Sequence, residues 1–367
     1  MVVTNEGYML QSAFDNEKGY KKIAKYVAKE ILNSSESASL NIGGLSTNYF
    51  SFTFSLCVHE SNGAQNVFVK IPKGYMRGQA TNILSNSDDD KIMFEEEVKS
   101  LRYLNKNWGS STNNVEWVKL LGVVNEYNAL ITERIFGDDA LNLFRRLDIR
   151  RRFGFVKERL KLENYMCRIG GAVYNYHREN GKVGDYSVKQ DLNKINKYCS
   201  ELSGMTKSKL LTKVTDYLQS INQYEYRTII APTLKGIDVR NVLVGASDEL
   251  YILDPGKMKT TCREADLSRF LLTYRILYWG SIFLLLFKEP DINSEKRFIN
   301  QNYPSDDEFN ADLLNIFLVK EILKHWHTAL DSLSYLSWSP RIKNIVQKIY
   351  VNPFYEKQLK KQLLPNR

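Results

Sequence analysis

A helical rhythm near the start of the chain gives way to alternation. In EKGYKKIAKYVAKEIL (Glu17–Leu32), Tyr20, Ile23, Ala24, Val27 and Ile31 share one face at helical spacing, which predicts an amphipathic helix. YFSFTFSLCV (Tyr49–Val58) alternates Phe50, Phe52 and Phe54 with small polar residues, the period of a strand. A turn at Asn62-Gly63 leads to a second strand, NVFVKIP (Asn66–Pro72), and DKIMFEEEVKSLRYLNKN (Asp90–Asn107) reads as helix again. KLLGVVNEYNALITERIFG (Lys119–Gly137) predicts two short strands around a turn at Asn125–Asn128. Beyond Gly137 the pattern is mostly helical, broken by one strand–turn–strand unit, NVLVGASDELYILDPG (Asn241–Gly256). The expected architecture is α+β. A small β-rich N-lobe, residues 1–136, holds a helix, a sheet and one further helix; a larger helical C-lobe, residues 137–367, holds the hairpin.

Composition narrows this little. The 367 residues are 43% hydrophobic and 25% charged, values that exclude general disorder. The four cysteines, 57, 167, 199 and 262, form no CxxC pair. That argues against a zinc site or a disulfide framework and suits a reducing compartment. With no signal-peptide pattern at the N-terminus, the expected location is cytoplasmic. FLLTYRILYWGSIFLLLF (Phe270–Phe287) contains Arg275, and its charge-free part, Ile276–Phe287, is too short for a membrane span. About twelve helical residues cover about 18 Å, against a hydrocarbon core of roughly 30 Å, so this stretch predicts a buried core helix. The net charge of +9 favours anionic partners. Its densest source, RRLDIRRRFGFVKERLK (Arg145–Lys161), reads as a solvated helix face, and no RNA-binding signature or zinc finger accompanies it, so no nucleic-acid partner is expected.

The chemistry to test is phosphoryl transfer, which needs backbone over the phosphates, a lysine held by an acid, metal ligands and a group to orient the nucleophile. In IGGLSTNYFSF (Ile42–Phe52), Gly43 and Gly44 let the backbone approach an anion, and Ser46, Thr47 and Asn48 can add donors; a plain hairpin turn would read the same. Lys70 lies in an otherwise apolar strand. Phe94, Glu97, Leu101 and Leu104 share one helical face, so Glu97 is the acid of the Glu95–Glu97 triplet that points inward, and Lys70 is an available partner. Asn241 begins one strand of the last hairpin and Asp254 ends the other. An amide oxygen and a carboxylate side by side would seat magnesium, although Asp254-Pro255-Gly256 is also an ordinary turn sequence.

Taken together these segments resemble the aminoglycoside phosphotransferase and choline kinase branch of the protein-kinase-like fold. GGLSTNYFSF is similar to the Gly-rich loop, VFVKIP to the lysine strand, EVKSLRYL to the helix bearing the lysine's glutamate, and ALITERIFG to the linker between lobes. IGGAVYNYHRE, ending near His177, RNVLVGASDELYILDPG and ADLSRFL, with Asp266, match later elements in order. The resemblance implies a two-lobed fold that binds ATP and Mg2+. Lys70 would contact the phosphates and Glu97 orient it; the backbone of Glu133–Ile135 would hold adenine; Asn241 and Asp254 would hold the metal; His177 and Asp266 would be structural. The departure is in the catalytic loop. Where the family has His-Gly-Asp, this chain has Leu234-Lys235-Gly236. Asp238, two residues along, is the expected substitute base, and Lys235 could stabilise the transferring phosphate. The resulting expectation is a small-molecule kinase phosphorylating a hydroxyl of a sugar, amino alcohol or related metabolite, with an anionic acceptor favoured by the net charge. The alternative is a pseudokinase that binds nucleotide without transfer. Contact with a membrane surface through Arg145–Lys161 and Ile276–Phe287 ranks third.

Overall fold

Alternation along two long strands decides which side chains face which helix. The computed structural model describes residues 5–48, 50–61, 63–73, 82–84, 86–108, 114–279, 289–303, 310–334 and 336–363. Helix α1 (Asn5–Tyr26) runs into a π-helical turn, Val27–Ile31, and buries Ile23, Ala24 and Val27 as its spacing predicts. Strands β1 (Ser39–Ile42), β2 (Ser46–Asn48), β3 (Ser51–Glu60) and β4 (Gly63–Pro72) follow. β3 and β4 pair antiparallel with Phe54 opposite Val69 and Thr53 opposite Lys70. Phe52, Phe54, Leu56 and Val58 of β3 and Val67, Val69 and Ile71 of β4 pack with α1 in one apolar cluster. Lys70, one residue out of phase, belongs to the opposite face.

That opposite face is covered by α2 (Asp88–Asn107). Ser87 and Asp90 form a reciprocal capping box at its start, and Phe94, Glu97, Val98, Leu101 and Leu104 are buried. Past β5 (Val115–Trp117), strands β6 (Leu120–Val124) and β7 (Ala129–Glu133) complete a sheet in the order β1-β3-β4-β7-β6, with β2 also on β3. Leu130 of β7 lies opposite Lys70 and joins Phe94, Val98 and Leu101 in a second cluster. Phe50, expected to alternate inward, lies just before β3 and is exposed, whereas Ser51 and Thr53 are buried. Strand β8 (Gly137–Asp139) closes this half.

The remaining chain is chiefly helical: α3 (Ala140–Arg152), capped by Asp139, then α4 (Val156–Asn180). Three strands depart from expectation. Strand β9 (Lys182–Ser187) precedes α5 (Lys189–Met205) and α6 (Leu210–Ser220), and β10 (Glu225–Pro232) follows them. After the hairpin β11 (Val242–Gly245) and β12 (Leu250–Ile252) comes β13 (Thr260–Cys262), which completes a three-stranded sheet, β13-β10-β9. The sequence pattern gave no sign of it, since β9 is a mostly exposed, charged edge without apolar alternation. Helices α7 (Arg263–Arg275), α8 (Ile292–Asn302), α9 (Ala311–Ser334), α10 (Pro340–Val346) and α11 (Asn352–Leu363) end the chain, and Trp326, Phe317 and Ile322 of α9 centre their core. Most of the expected core helix Ile276–Phe287 lies outside the described residues; Ile276–Trp279 form a turn after α7.

The Arg145–Lys161 run is more than a solvated face. Arg151 and Arg152 both bind the fully buried Asp148, which also accepts from the Tyr278 hydroxyl and the Asp291 amide. By internal contacts the chain forms two compact units: Met1–Ser110, Glu116–Asp138 and Leu243–Met258 in one, Ser111–Val115, Asp139–Val242 and Lys259–Arg367 in the other. The hairpin grouped by sequence with the helical half thus belongs to the sheet-rich unit, where Leu253 packs against Phe94, Val98 and Leu101. No described helix is long and apolar enough to cross a membrane.

Candidate active site

In the first unit Lys70 meets two carboxylates. Its Nζ lies 2.5 Å from Glu97 Oε1 and 3.2 Å from Asp254 Oδ1. Burial works against the ammonium, but the two acids outweigh it and raise the Lys70 pKa above the usual lysine range. The inward direction of Glu97 follows from the apolar stripe of α2, which leaves that acid 7% exposed. Asp254 stays accessible, with its side chain 46% exposed. Its Oδ1 also accepts the Gly256 amide at 3.2 Å, a local turn that Gly256 completes at φ 56°, where other residues are strained.

The segment after Asp254 is fastened to α2 at points the sequence did not announce. Lys257 pairs with Glu96, and the Met258 amide donates to Ser100 Oγ at 3.2 Å. Glu96 lies off the apolar stripe, and its cation comes from a distant part of the chain. Lys73 and Asp90 form a further buried pair at the entrance to α2, 3.5 Å apart.

Gly43 and Gly44 do not form the plain hairpin turn that the sequence left as an alternative. β1 and β2 both pair with β3, Ile42 opposite Leu56 and Ser46 opposite Thr53, which leaves one extra residue on the outer strand. The Gly-Gly segment is therefore a bulge in one interrupted strand, and the reversal comes after Asn48. The Gly43 amide keeps the ladder by donating to Ser55 O at 2.8 Å, and a Cβ there would fall 2.0 Å from Ser55 Oγ. A Cβ at Gly44 would meet nothing within 4 Å beyond its chain neighbours, and Ser46 and Thr47 are exposed. Glu133, at the end of β7, turns its carboxylate onto the Lys119 amide at 2.8 Å, while Ile135 packs against the Phe94 cluster.

The second unit contains the altered loop, where Asp238, the expected substitute base, is engaged within the loop itself. Asp238 is 6% exposed, caps the short helical turn Val239–Asn241 and accepts from the Arg240 backbone amide at 2.9 Å. Both its oxygens are taken by the Arg240 guanidinium. A carboxylate with both oxygens engaged by one guanidinium is turned toward that cation rather than toward a substrate hydroxyl. Leu234, Gly236, Ile237 and Val239 are buried alongside it, and Lys235 is the loop's outward residue, its carbonyl accepting from Arg269. The loop is fixed from behind by Asp266, whose Oδ2 accepts the Leu234 amide at 2.8 Å and lies 3.0 Å from His177 Nε2. Both expected structural residues are therefore bonded within one buried network. Asn241 donates its amide to Gly236 O at 3.2 Å, which points its Oδ1 away from that bond.

A cluster missed by sequence reading stands beside the loop. Glu321 of α9 is buried with Lys324 at 3.2 Å and Arg269 at 3.8 Å; burial alone would raise its pKa, but these cations pull it down to about 2. The signal was faint, since helical spacing placed Glu321 among core residues but offered no partner.

No protein-family profile and no curated protein matches the chain by sequence. Solved structures do. Aminoglycoside phosphotransferase APH(4)-Ia aligns over 95% of this chain and 99% of its own, with TM-score 0.52 and 8% identity. The chain has a protein-kinase-like fold. Choline kinase LicA from Streptococcus pneumoniae aligns over 95% of this chain and 100% of its own, with TM-score 0.49 and 12% identity. Within the kinase-like fold, Lys70, Glu97 and Asp254 are the residues that the described geometry brings together. Among the described residues no group of three or more His, Cys, Asp or Glu could hold a metal ion alone.

Proposed function

We propose that this chain is an ATP-dependent phosphotransferase acting on a hydroxyl of a small molecule. The observation that carries the reading is Lys70 between Glu97 and Asp254, a cation held charged and oriented beside an accessible carboxylate. Lys70 would bind the inner phosphates of ATP, Gly44 with Ser46 and Thr47 would offer donors to the outer ones, and the Glu133–Ile135 backbone would take adenine. The carboxylate oxygens of Asp254 suit a hard divalent cation such as Mg2+, which when bound would neutralise phosphate charge. In the transfer the acceptor oxygen bonds to the terminal phosphorus, the bond to ADP breaks, and the hydroxyl proton leaves for solvent or phosphate oxygen. We assign Asp238 to holding the loop through Arg240 rather than to taking that proton. Loss of a general base costs about 10²–10⁴-fold, while positioning and charge stabilisation supply more.

Lys235 in place of an acid and the closed Asp238–Arg240 pair favour a second reading, a pseudokinase that binds ATP and transfers nothing. One experiment separates the two. With ATP and Mg2+, either reading expects the melting temperature to rise. Formation of ADP that depends on an added sugar, amino alcohol or sugar phosphate establishes transfer; stabilisation without it leaves the pseudokinase. Absence of stabilisation at millimolar ATP rules out both.

A further inference from the structure

The last third of the second unit ends in an amphipathic element that nothing above uses. Ser339 caps α10 with Pro340 in its first turn, and a π-helical turn, Gln347–Val351, continues it into α11. Its inner side is anchored: Val346 and Tyr350 pack on the α9 core, Gln347 Nε2 donates to Met205 O at 2.6 Å, and Lys343 Nζ to Ser334 O at 2.7 Å. Its outer side carries Ile342, Ile345 and Ile349 at helical spacing, preceded by Leu336 and Trp338. These five are 49%, 48%, 75%, 41% and 46% exposed. Single exposed apolar residues need no explanation, but five within fourteen residues, three of them on one side of a helix, do.

Charge identifies what the stripe meets. Between Asp331 and Glu356 the sequence has no acid and three cations, Arg341, Lys343 and Lys348. Arg341 and Lys348 are exposed. A stripe of isoleucines with an indole at one end, flanked by cations and without anions, suits a surface apolar at depth and negative at its rim. The other exposed apolar group, Phe153, Phe155, Val156 and Leu160, does not single out a partner in this way, because Glu158 and Glu163 lie within it and pair with Arg150 and Arg159.

We propose that the α10 segment, Leu336–Ile349, docks this protein onto an anionic lipid bilayer, lying in the headgroup layer without spanning it. The test is co-sedimentation of the full chain with phosphatidylcholine vesicles, with or without about 30% phosphatidylglycerol. The expected result is pelleting with the anionic vesicles only, weakened by salt. Ile345→Ser with Ile349→Ser should lower that binding by about tenfold or more. Arg341→Gln with Lys348→Gln, which keeps the stripe, should weaken binding and its salt dependence together. These side chains are exposed, so each variant should melt as the parent does. Failure to pellet with anionic vesicles, equal binding to neutral ones, or binding unchanged in the isoleucine variant overturns the proposal. A concentration-dependent dimer that the isoleucine variant dissociates, without vesicle binding, assigns the stripe to a second copy instead.

Discussion

Replacing Glu97 with Gln keeps the shape of the side chain and removes the charge that holds Lys70. Removing one partner of a buried ion pair typically costs about 3–5 kcal/mol, because the other charge is left uncompensated. Here the residual charge is not alone: Asp254 Oδ1 stays 3.2 Å from the ammonium, and the Lys70 side chain is 20% exposed. About 2 kcal/mol of stability should therefore be lost in Glu97→Gln. The assay is a double-mutant cycle with Lys70→Met, followed by urea unfolding. Once Lys70 is neutral the acid has no cation to hold, so the two substitutions should couple by roughly 2 kcal/mol. The same variants, melted with and without ATP and Mg2+, link the pair to ligand: Glu97→Gln should show a smaller ATP-induced rise than the parent. Additive effects within about 0.5 kcal/mol would refute the energetic account of the pair. An ATP response identical to the parent's would refute its placement at the phosphates.

Two further outcomes test the second unit. Asp238→Asn and Arg240→Gln should each destabilise the loop by about 1–3 kcal/mol and lower any transfer activity to a similar extent, because both break one half-buried pair; a collapse of turnover in Asp238→Asn alone, with Arg240→Gln near parental, would establish Asp238 as the base. His325 is pushed down to about 4, first by burial and then by the Arg240 and Lys324 cations. The unfolded chain takes up that proton more readily between pH 6.5 and 4, so stability should fall with pH across this window by up to roughly 3 kcal/mol. His325→Phe should flatten that slope in urea unfolding, and an unchanged slope would sink the assignment.

What the sequence disclosed depended on the range of the physics involved. Glu97 could be read because its direction is set within one helix, by Phe94, Leu101 and Leu104, and an inward acid demands a cation. Lys70 and the β3–β4 pairing were legible for the same local reason. The engagement of Asp238 was not legible because proximity in sequence says nothing about direction: Arg240, two residues on, takes both carboxylate oxygens. Glycine content signalled a backbone needing freedom near Gly43 but could not separate a turn from a bulge, since both use the same residue. The β9–β10–β13 sheet and the Glu96–Lys257 pair depend on partners far apart in the chain, and no periodicity records those.

The shared oxygen of Asp254 has a consequence for the order of events. Lys70 and the Gly256 amide already converge on Oδ1. A divalent ion approaching the bare protein meets a carboxylate whose charge an ammonium is already neutralising, and so gains little by binding alone. Triphosphate changes that balance by bringing enough negative charge for both cations. On the proposed phosphotransferase reading the metal should consequently enter with the nucleotide rather than ahead of it.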